Sequence, residues 1–136
     1  MRNYIFELPF EVRDYECDLQ GIVNNAVYQN YFEHTRHKFL LSKNISFSEL
    51  HKKGIDAVVV KVEISFKHSL LPDTPFISKL SLKKEGVRYV FHQALFSIDN
   101  QTLFASARTE TVILNQGKLG FTPELDAIVQ EAETLS

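Results

Sequence analysis

From Ile22 to Lys53 the chain holds neither glycine nor proline, and after Gly54 the period of its apolar residues changes. Within the first stretch Tyr28, Phe32, Thr35 and Phe39 recur at i, i+4, i+7 and i+11, which is one face of an α-helix. Val27 and Tyr31 widen that stripe. After Gly54, Val58, Val60, Val62, Ile64 and Phe66 alternate with Val59, Lys61, Glu63 and Ser65, the pattern of a long half-buried strand. Further strands are expected over 76–84, 88–98 and 103–114, with turns at Glu85-Gly86 and Asp99-Asn100 and a stop at Asn115-Gln116-Gly117-Lys118. Residues 4–13 read as a first strand broken by Pro9. Helices do not alternate singly with strands, so a parallel α/β sheet is excluded. The expectation is an α+β domain spanning 1–136, with a five-stranded antiparallel sheet wrapped around one long central helix.

Local signals punctuate this frame. Asn25 is the natural cap of the long helix, with Asn24 as the alternative. Ser46-Phe47-Ser48-Glu49 has the form of a capping box for a short second helix that Gly54 closes. Thr122-Pro123 reads as a cap followed by proline at the first helical position, and Leu125, Ile128, Val129 and Ala132 stripe the helix after it. A curled sheet of this kind leaves edge strands unpaired, and a two-fold homodimer joining two sheets is the cheapest remedy.

Composition excludes several functions. A net charge of -2 over 136 residues is not the footprint of a nucleic-acid binder. No window approaches the roughly 18 apolar residues of a membrane span. A single cysteine, Cys17, permits no internal disulfide and suits a reducing compartment, and Met1-Arg2-Asn3 leads into alternation instead of a signal sequence, so a cytoplasmic protein is expected.

Chemistry concentrates between Asp18 and Tyr28. A carboxylate, Asp18, precedes a glycine turn at Gly21, and that turn enters the long helix. A helix start carries free backbone N–H groups and a positive dipole end, suited to stabilising negative charge on a carbonyl oxygen. Asp18 then stands ready as base or nucleophile. The competing role for Asp18 is to stabilise the turn or the helix dipole. Cys17 lacks a nearby base, and its acidic neighbours Glu16 and Asp18 disfavour the thiolate. His34 and His37 lie at metal-ligand spacing on the helix, but only Glu33 supports them, and a solvated or dimer-facing strip is the better account. His68 and His92 receive no role.

These residues resemble a known family. Cys17-Asp18-x-x-Gly21-Ile22-Val23 closed by Tyr28, together with Val62-Glu63-Ile64-Ser65-Phe66, Leu71-Pro72-Asp73, Val90-Phe91-His92-Gln93 and Leu103-Phe104-Ala105-Ser106-Ala107, is similar to hotdog-fold acyl-CoA thioesterases of the 4-hydroxybenzoyl-CoA thioesterase type. The resemblance implies the hotdog fold, a homodimer often paired again into a tetramer, and hydrolysis of a thioester of coenzyme A or acyl carrier protein without a cofactor or metal. It puts Asp18 at the catalytic carboxylate and the backbone N–H of Asn25 at the donor to the thioester carbonyl. Gly21, Ile22, Val23, Asn24 and Tyr28 become the expected substrate contacts. Many relatives carry Trp, Tyr or His where this chain has Asn24-Asn25; the backbone donor survives that change, whereas aryl specificity does not follow. Lys83, Lys84 and Arg88, around the Glu85-Gly86 turn, are candidates for the anionic nucleotide of coenzyme A, or else keep a hairpin tip soluble. Two other functions remain open: an enoyl-thioester hydratase, which would want an Asp/His pair, and a non-catalytic acyl-thioester binder.

Overall fold

In the computed structural model the described residues run from 3 to 135. Strand β1 (Phe6–Glu11) leads through a single 3-10 turn (Asp14–Glu16) to helix α1 (Asn25–Ser42) and the short helix α2 (Phe47–Lys52). Strands β2 (Ile55–Phe66), β3 (Pro75–Glu85), β4 (Arg88–Ser97) and β5 (Leu103–Asn115) follow, then β6 (Lys118–Gly120) and helix α3 (Pro123–Leu135). The strands form one antiparallel sheet in the order β1-β3-β4-β5-β2, with β6 added beside β5. This is the expected α+β hotdog arrangement. The sheet has six strands instead of five, because three residues after the Gln116-Gly117 turn fold back on Ile113–Asn115.

The long helix buries the face its spacing indicates. Tyr28, Tyr31, Phe32, Thr35, Phe39 and Leu40 are all buried. The first half of α1 packs with Val12, Leu70, Phe76, Leu95 and Phe104. Its second half joins Leu80, Leu82, Tyr89, Phe91 and Ile113, with Leu125, Ile128 and Val129 of α3 closing that cluster. Each such side chain contributes about 1.5–3 kcal/mol by leaving water. Two buried polar contacts pin α1 across the middle strands: Thr35 Oγ1 lies 2.7 Å from Ser78 Oγ, and Gln93 Nε2 donates to the Phe32 carbonyl at 2.9 Å.

Several local expectations change. Asn24, not Asn25, caps α1: its backbone is extended (φ -63, ψ 140) and its side chain accepts from the Ala26 N–H at 2.9 Å, which makes Asn25 the first helical residue. Pro9 does not break β1. The strand pairs on one side only, with Pro9 opposite Ile77, so the missing N–H costs the ladder nothing. Ser46 caps α2 by accepting from the Glu49 N–H, and Thr122 caps α3 by accepting from the Leu125 N–H.

Strand β2 carries the most consequential departure. Its pairing with β5 slips between Val59 and Lys61, leaving Val60 as the extra residue of a bulge. Alternation therefore changes parity at Val60. Ala57 and Val59 face the same cavity as α1, and beyond the bulge Ile64 packs into the core while Phe66 meets Tyr28 edge-on at 5.1 Å. Val58 and Val60 fall outside this row. Strand β2 ends the sheet, and Val58, Val59, Val60 and Phe66 all remain exposed.

Candidate active site

The loop between β1 and α1 is built from backbone bonds. The Val12 N–H donates to the Thr74 carbonyl at 2.9 Å, which fixes the loop to the start of β3. Cys17 and Val23 then pair as an isolated antiparallel bridge. Between them the Asp18 N–H donates to the Ile22 carbonyl at 2.9 Å, and the Gly21 N–H to the Asp18 carbonyl at 3.0 Å. This reversal needs a left-handed residue, and Gly21 supplies it at φ +77 in open space. The Asp18 side chain is exposed, and Oδ1 accepts from the Gln20 N–H at 2.9 Å. One oxygen thus supports the turn, and among the described residues none donates to the other.

Asn25 opens α1, so its N–H has no acceptor inside the helix. A cavity of about 130 Å³ lies beside it, between Ile22, Val23, Asn25 and Tyr28 on one wall and residues 66–69 on the other. Tyr28 holds the walls together: its hydroxyl accepts from the Leu70 N–H at 3.1 Å, and the Leu70 carbonyl accepts from the Val23 N–H at 2.9 Å. Within one chain Asp18 does not line this cavity.

Two lining residues carry chemistry that sequence reasoning passed over. Lys67 and His68 are strung on the Phe104 carbonyl, which accepts from both backbone N–H groups at 2.8 and 3.1 Å. His68 Nδ1 lies 3.1 Å from the Leu103 carbonyl. A carbonyl only accepts, so in the neutral ring Nδ1 carries the hydrogen and Nε2 keeps its lone pair. No local motif marks either residue; only the closure of β2 on β5 brings them beside the helix start.

Glu16 is the other missed residue. It is 8% exposed, and its carboxylate accepts from the Arg13 N–H at 2.8 Å, the Arg13 guanidinium at 2.9 Å and the Tyr31 hydroxyl at 2.7 Å. Its own carbonyl accepts from the Asn24 N–H at 3.1 Å, so it ties the loop to the helix cap. Burial pushes the Glu16 carboxyl upward, but the three hydrogen bonds outweigh it and hold the group below the ordinary carboxylate value. Burial and Glu16 together raise the Tyr31 hydroxyl far above the usual phenol range. A depressed carboxyl stabilises the fold above its unfolded value and loses that contribution as pH falls through its folded value. Glu16→Gln is therefore expected to cost about 1–3 kcal/mol at neutral pH and less in acid. Urea midpoints of parent and variant at pH 7 and near pH 3 check both statements.

Cys17 is half-buried, and burial followed by Asp18, Glu16, Asp14 and Asp73 raises its thiol, which stays protonated. His34 and His37 are exposed and border an open cleft of about 730 Å³ between β1 and α1, where His34 meets the edge of Phe10 at 5.8 Å. Lys83, Lys84 and Arg88 lie at the far end of β3 from the Asp18 loop, about 33 Å along the strand. Lys84 pairs with Asp126 at 3.0 Å and Arg88 with Glu110 at 2.7 Å, while Lys83 is exposed. The structure does not bring these three to the Asp18 of the same chain. Among the described residues no helix is long and apolar enough to cross a membrane.

Known proteins share this framework. The chain is 36% identical over 110 residues to the acyl-acyl carrier protein thioesterase ATL2 of Arabidopsis thaliana, a match covering 80% of this chain but 58% of that one. It thus spans somewhat over half the length of that curated relative. A crystal structure of a hypothetical protein from Aquifex aeolicus superposes with a TM-score of 0.81 at 29% identity, covering 92% of this chain and 98% of the other. A 1,4-dihydroxy-2-naphthoyl-CoA thioesterase from Synechocystis shares the fold at a TM-score of 0.84 and 16% identity, covering 94% and 97%. The family model described as the thioesterase-like superfamily matches residues 12–132, from the residue after β1 into α3, a span that holds the Asp18 loop, α1 and β2 to β5. By that match this chain belongs to the thioesterase-like superfamily.

Proposed function

We propose that this chain hydrolyses acyl thioesters of coenzyme A or acyl carrier protein, working as a homodimer, and that Asp18 is its catalytic carboxylate. The observation that carries the reading is the pairing of an exposed, half-engaged carboxylate with an unpartnered helix-start N–H, seven residues apart on one backbone-tied loop. The named thioesterases among its relatives support the reaction class, and Cys17, the lone thiol, suits a reducing compartment such as the cytoplasm.

In this mechanism the thioester carbonyl oxygen accepts from the Asn25 N–H, and the α1 dipole stabilises the negative charge that develops there. Asp18 either removes a proton from water attacking the carbonyl carbon, or attacks it directly to give a mixed anhydride that water then cleaves. Either route breaks the C–S bond and releases the thiol and the free acid. Gly21 sets the turn, while Ile22, Val23, Asn24 and Tyr28 shape the wall against the thioester. Lys67 lines the same cavity and offers a cation to the carrier arm. Lys83, Lys84 and Arg88 can meet the nucleotide of coenzyme A only where another subunit delivers it.

The dimer in this reading joins copies through the free edge of β2, whose valines are otherwise left in water. Free-thiol release from short, long and aromatic acyl-CoAs and from acyl carrier protein tests the reaction. Release above the spontaneous rate supports it, and none across the panel overturns it. One observation favours a second reading, an enoyl-thioester hydratase: His68 borders the cavity at Asn25 with a free Nε2. Loss of enoyl-CoA absorbance that disappears in His68→Gln would establish that reaction instead.

A further inference from the structure

Helix α1 has a second chemical end. Arg36 lies eleven residues beyond Asn25, which is three turns and about 20° of rotation, so the two share one helix face about 16 Å apart. Strand β2 runs antiparallel beside this face, with Phe66 at the cavity next to Asn25 and Ala57 and Val59 at a second cavity next to Arg36. This second cavity measures about 260 Å³; Leu40, Phe47 and Phe91 form its apolar walls, and Glu33, His37 and Thr111 line it beside Arg36.

Two polar groups stand in it without the partners their chemistry demands. The half-buried Arg36 guanidinium finds only neutral acceptors, Gln93 Oε1 at 3.1 Å and Thr109 Oγ1 at 3.4 Å. No carboxylate forms an ion pair with it among the described residues. Burial disfavours its charge; Glu33, one turn back on the wall of the same cavity, makes no ion pair with it and acts on it through its field. Beside it Thr111 is 5% exposed, and its hydroxyl has no hydrogen-bond partner. A desolvated cation with spare donors and an orphaned buried hydroxyl both call for an oxygen anion.

The geometry points to a specificity site: an acyl chain laid along α1 and β2, from the cavity at Asn25 to the cavity at Arg36, ends in a carboxylate received by the Arg36 guanidinium and the Thr111 hydroxyl. The inference rests on the thioesterase reading for the other end of the chain, where the carbonyl meets Asn25. The bulge at Val60 serves it, since it keeps the apolar residues on both sides of it turned toward α1. A methyl-terminated chain of the same length leaves the cation and the hydroxyl unsatisfied, whereas a terminal carboxylate pairs both.

The test compares mono-CoA thioesters of octanedioic, decanedioic and dodecanedioic acids with octanoyl-, decanoyl- and dodecanoyl-CoA, and reads the ratio of kcat/KM within each length. The parent is expected to favour the carboxylate-terminated chain at one length or more, and Arg36→Met to lower that ratio about 10–100-fold. Arg36→Lys, which keeps the charge, is expected to restore part of it and serves as the second variant if Arg36→Met does not fold. Equal ratios in parent and variants overturn the site while leaving the thioesterase reading intact. The site is likewise overturned if Arg36→Met alters only the elution volume of the dimer, which assigns the guanidinium to a subunit contact. If no thioester is hydrolysed, the thioesterase reading fails separately, and calorimetric titration with free decanedioate decides the site. Saturable binding lost in Arg36→Met then supports it, and no binding overturns it.

Discussion

Asp18→Asn is expected to lower kcat on a cleavable acyl-CoA by about 10²–10⁴-fold if Asp18 is a general base, which is ~3–5 kcal/mol of barrier. The substitution is a clean probe because the structural work of Asp18 survives it. Asparagine still offers an oxygen to the Gln20 N–H, and the position is exposed, so no cavity opens and no buried group loses a partner. A fall in rate with unchanged circular dichroism and urea midpoint therefore reports on the free carboxylate oxygen. Single turnover in ¹⁸O-water tests the covalent route: label entering the Asp18 side chain, with unlabelled acid released, marks a mixed anhydride opened at the Asp18 carbon. Label in the released acid fits both direct attack by water and an anhydride opened at the acyl carbon. A variant as fast as the parent would falsify the mechanism, leaving Asp18 as a turn residue.

Asn25→Pro carries the second large effect. Proline removes one backbone N–H and little else, because the first helical position has no acceptor for that hydrogen and suits the fixed φ of proline. The residue before it must be extended, and Asn24 already is, at φ -63 and ψ 140. The side chain at 25 is controlled by Asn25→Ala, which keeps the N–H. Asn25→Pro is expected to fall about 10²–10³-fold below Asn25→Ala in kcat, the cost of one oxyanion donor. Equal rates for the two variants would remove the helix-start N–H from the mechanism.

Much of this architecture was legible because long-range packing agreed with local pattern. The stripe Tyr28, Phe32, Thr35, Phe39 is buried as its spacing requires, and the turns at Glu85-Gly86 and Asp99-Asn100 join the strands that alternation separates. What was missed depended on partners distant in sequence. Whether Asn24 or Asn25 caps α1 turns on one ψ angle, to which two identical side chains give no clue. Pro9 reads as a break until β1 proves to be an edge strand. Strand β6 is three residues long and too short to show a period. The loop bearing Asp18 and Asn25 was visible because it is contiguous. Lys67, His68, Arg36 and Thr111 gain meaning only when β2, β4 and β5 stand beside α1. Lys84 and Arg88 looked like free cations, and folding supplies them with Asp126 and Glu110.

The slipped pair at Val60 has one more consequence, for colloidal behaviour. Ile55–Phe66 is the stretch of this chain best suited to seed cross-β growth: long, rich in β-branched residues and placed at a sheet edge. An incoming straight strand needs unbroken register along its template. The bulge bends the edge there, so a foreign segment meets two short runs, and Lys61 and Glu63 interrupt the second with charge. A single irregular residue in the strand thus acts as a guard against fibril templating while the edge awaits its own partner.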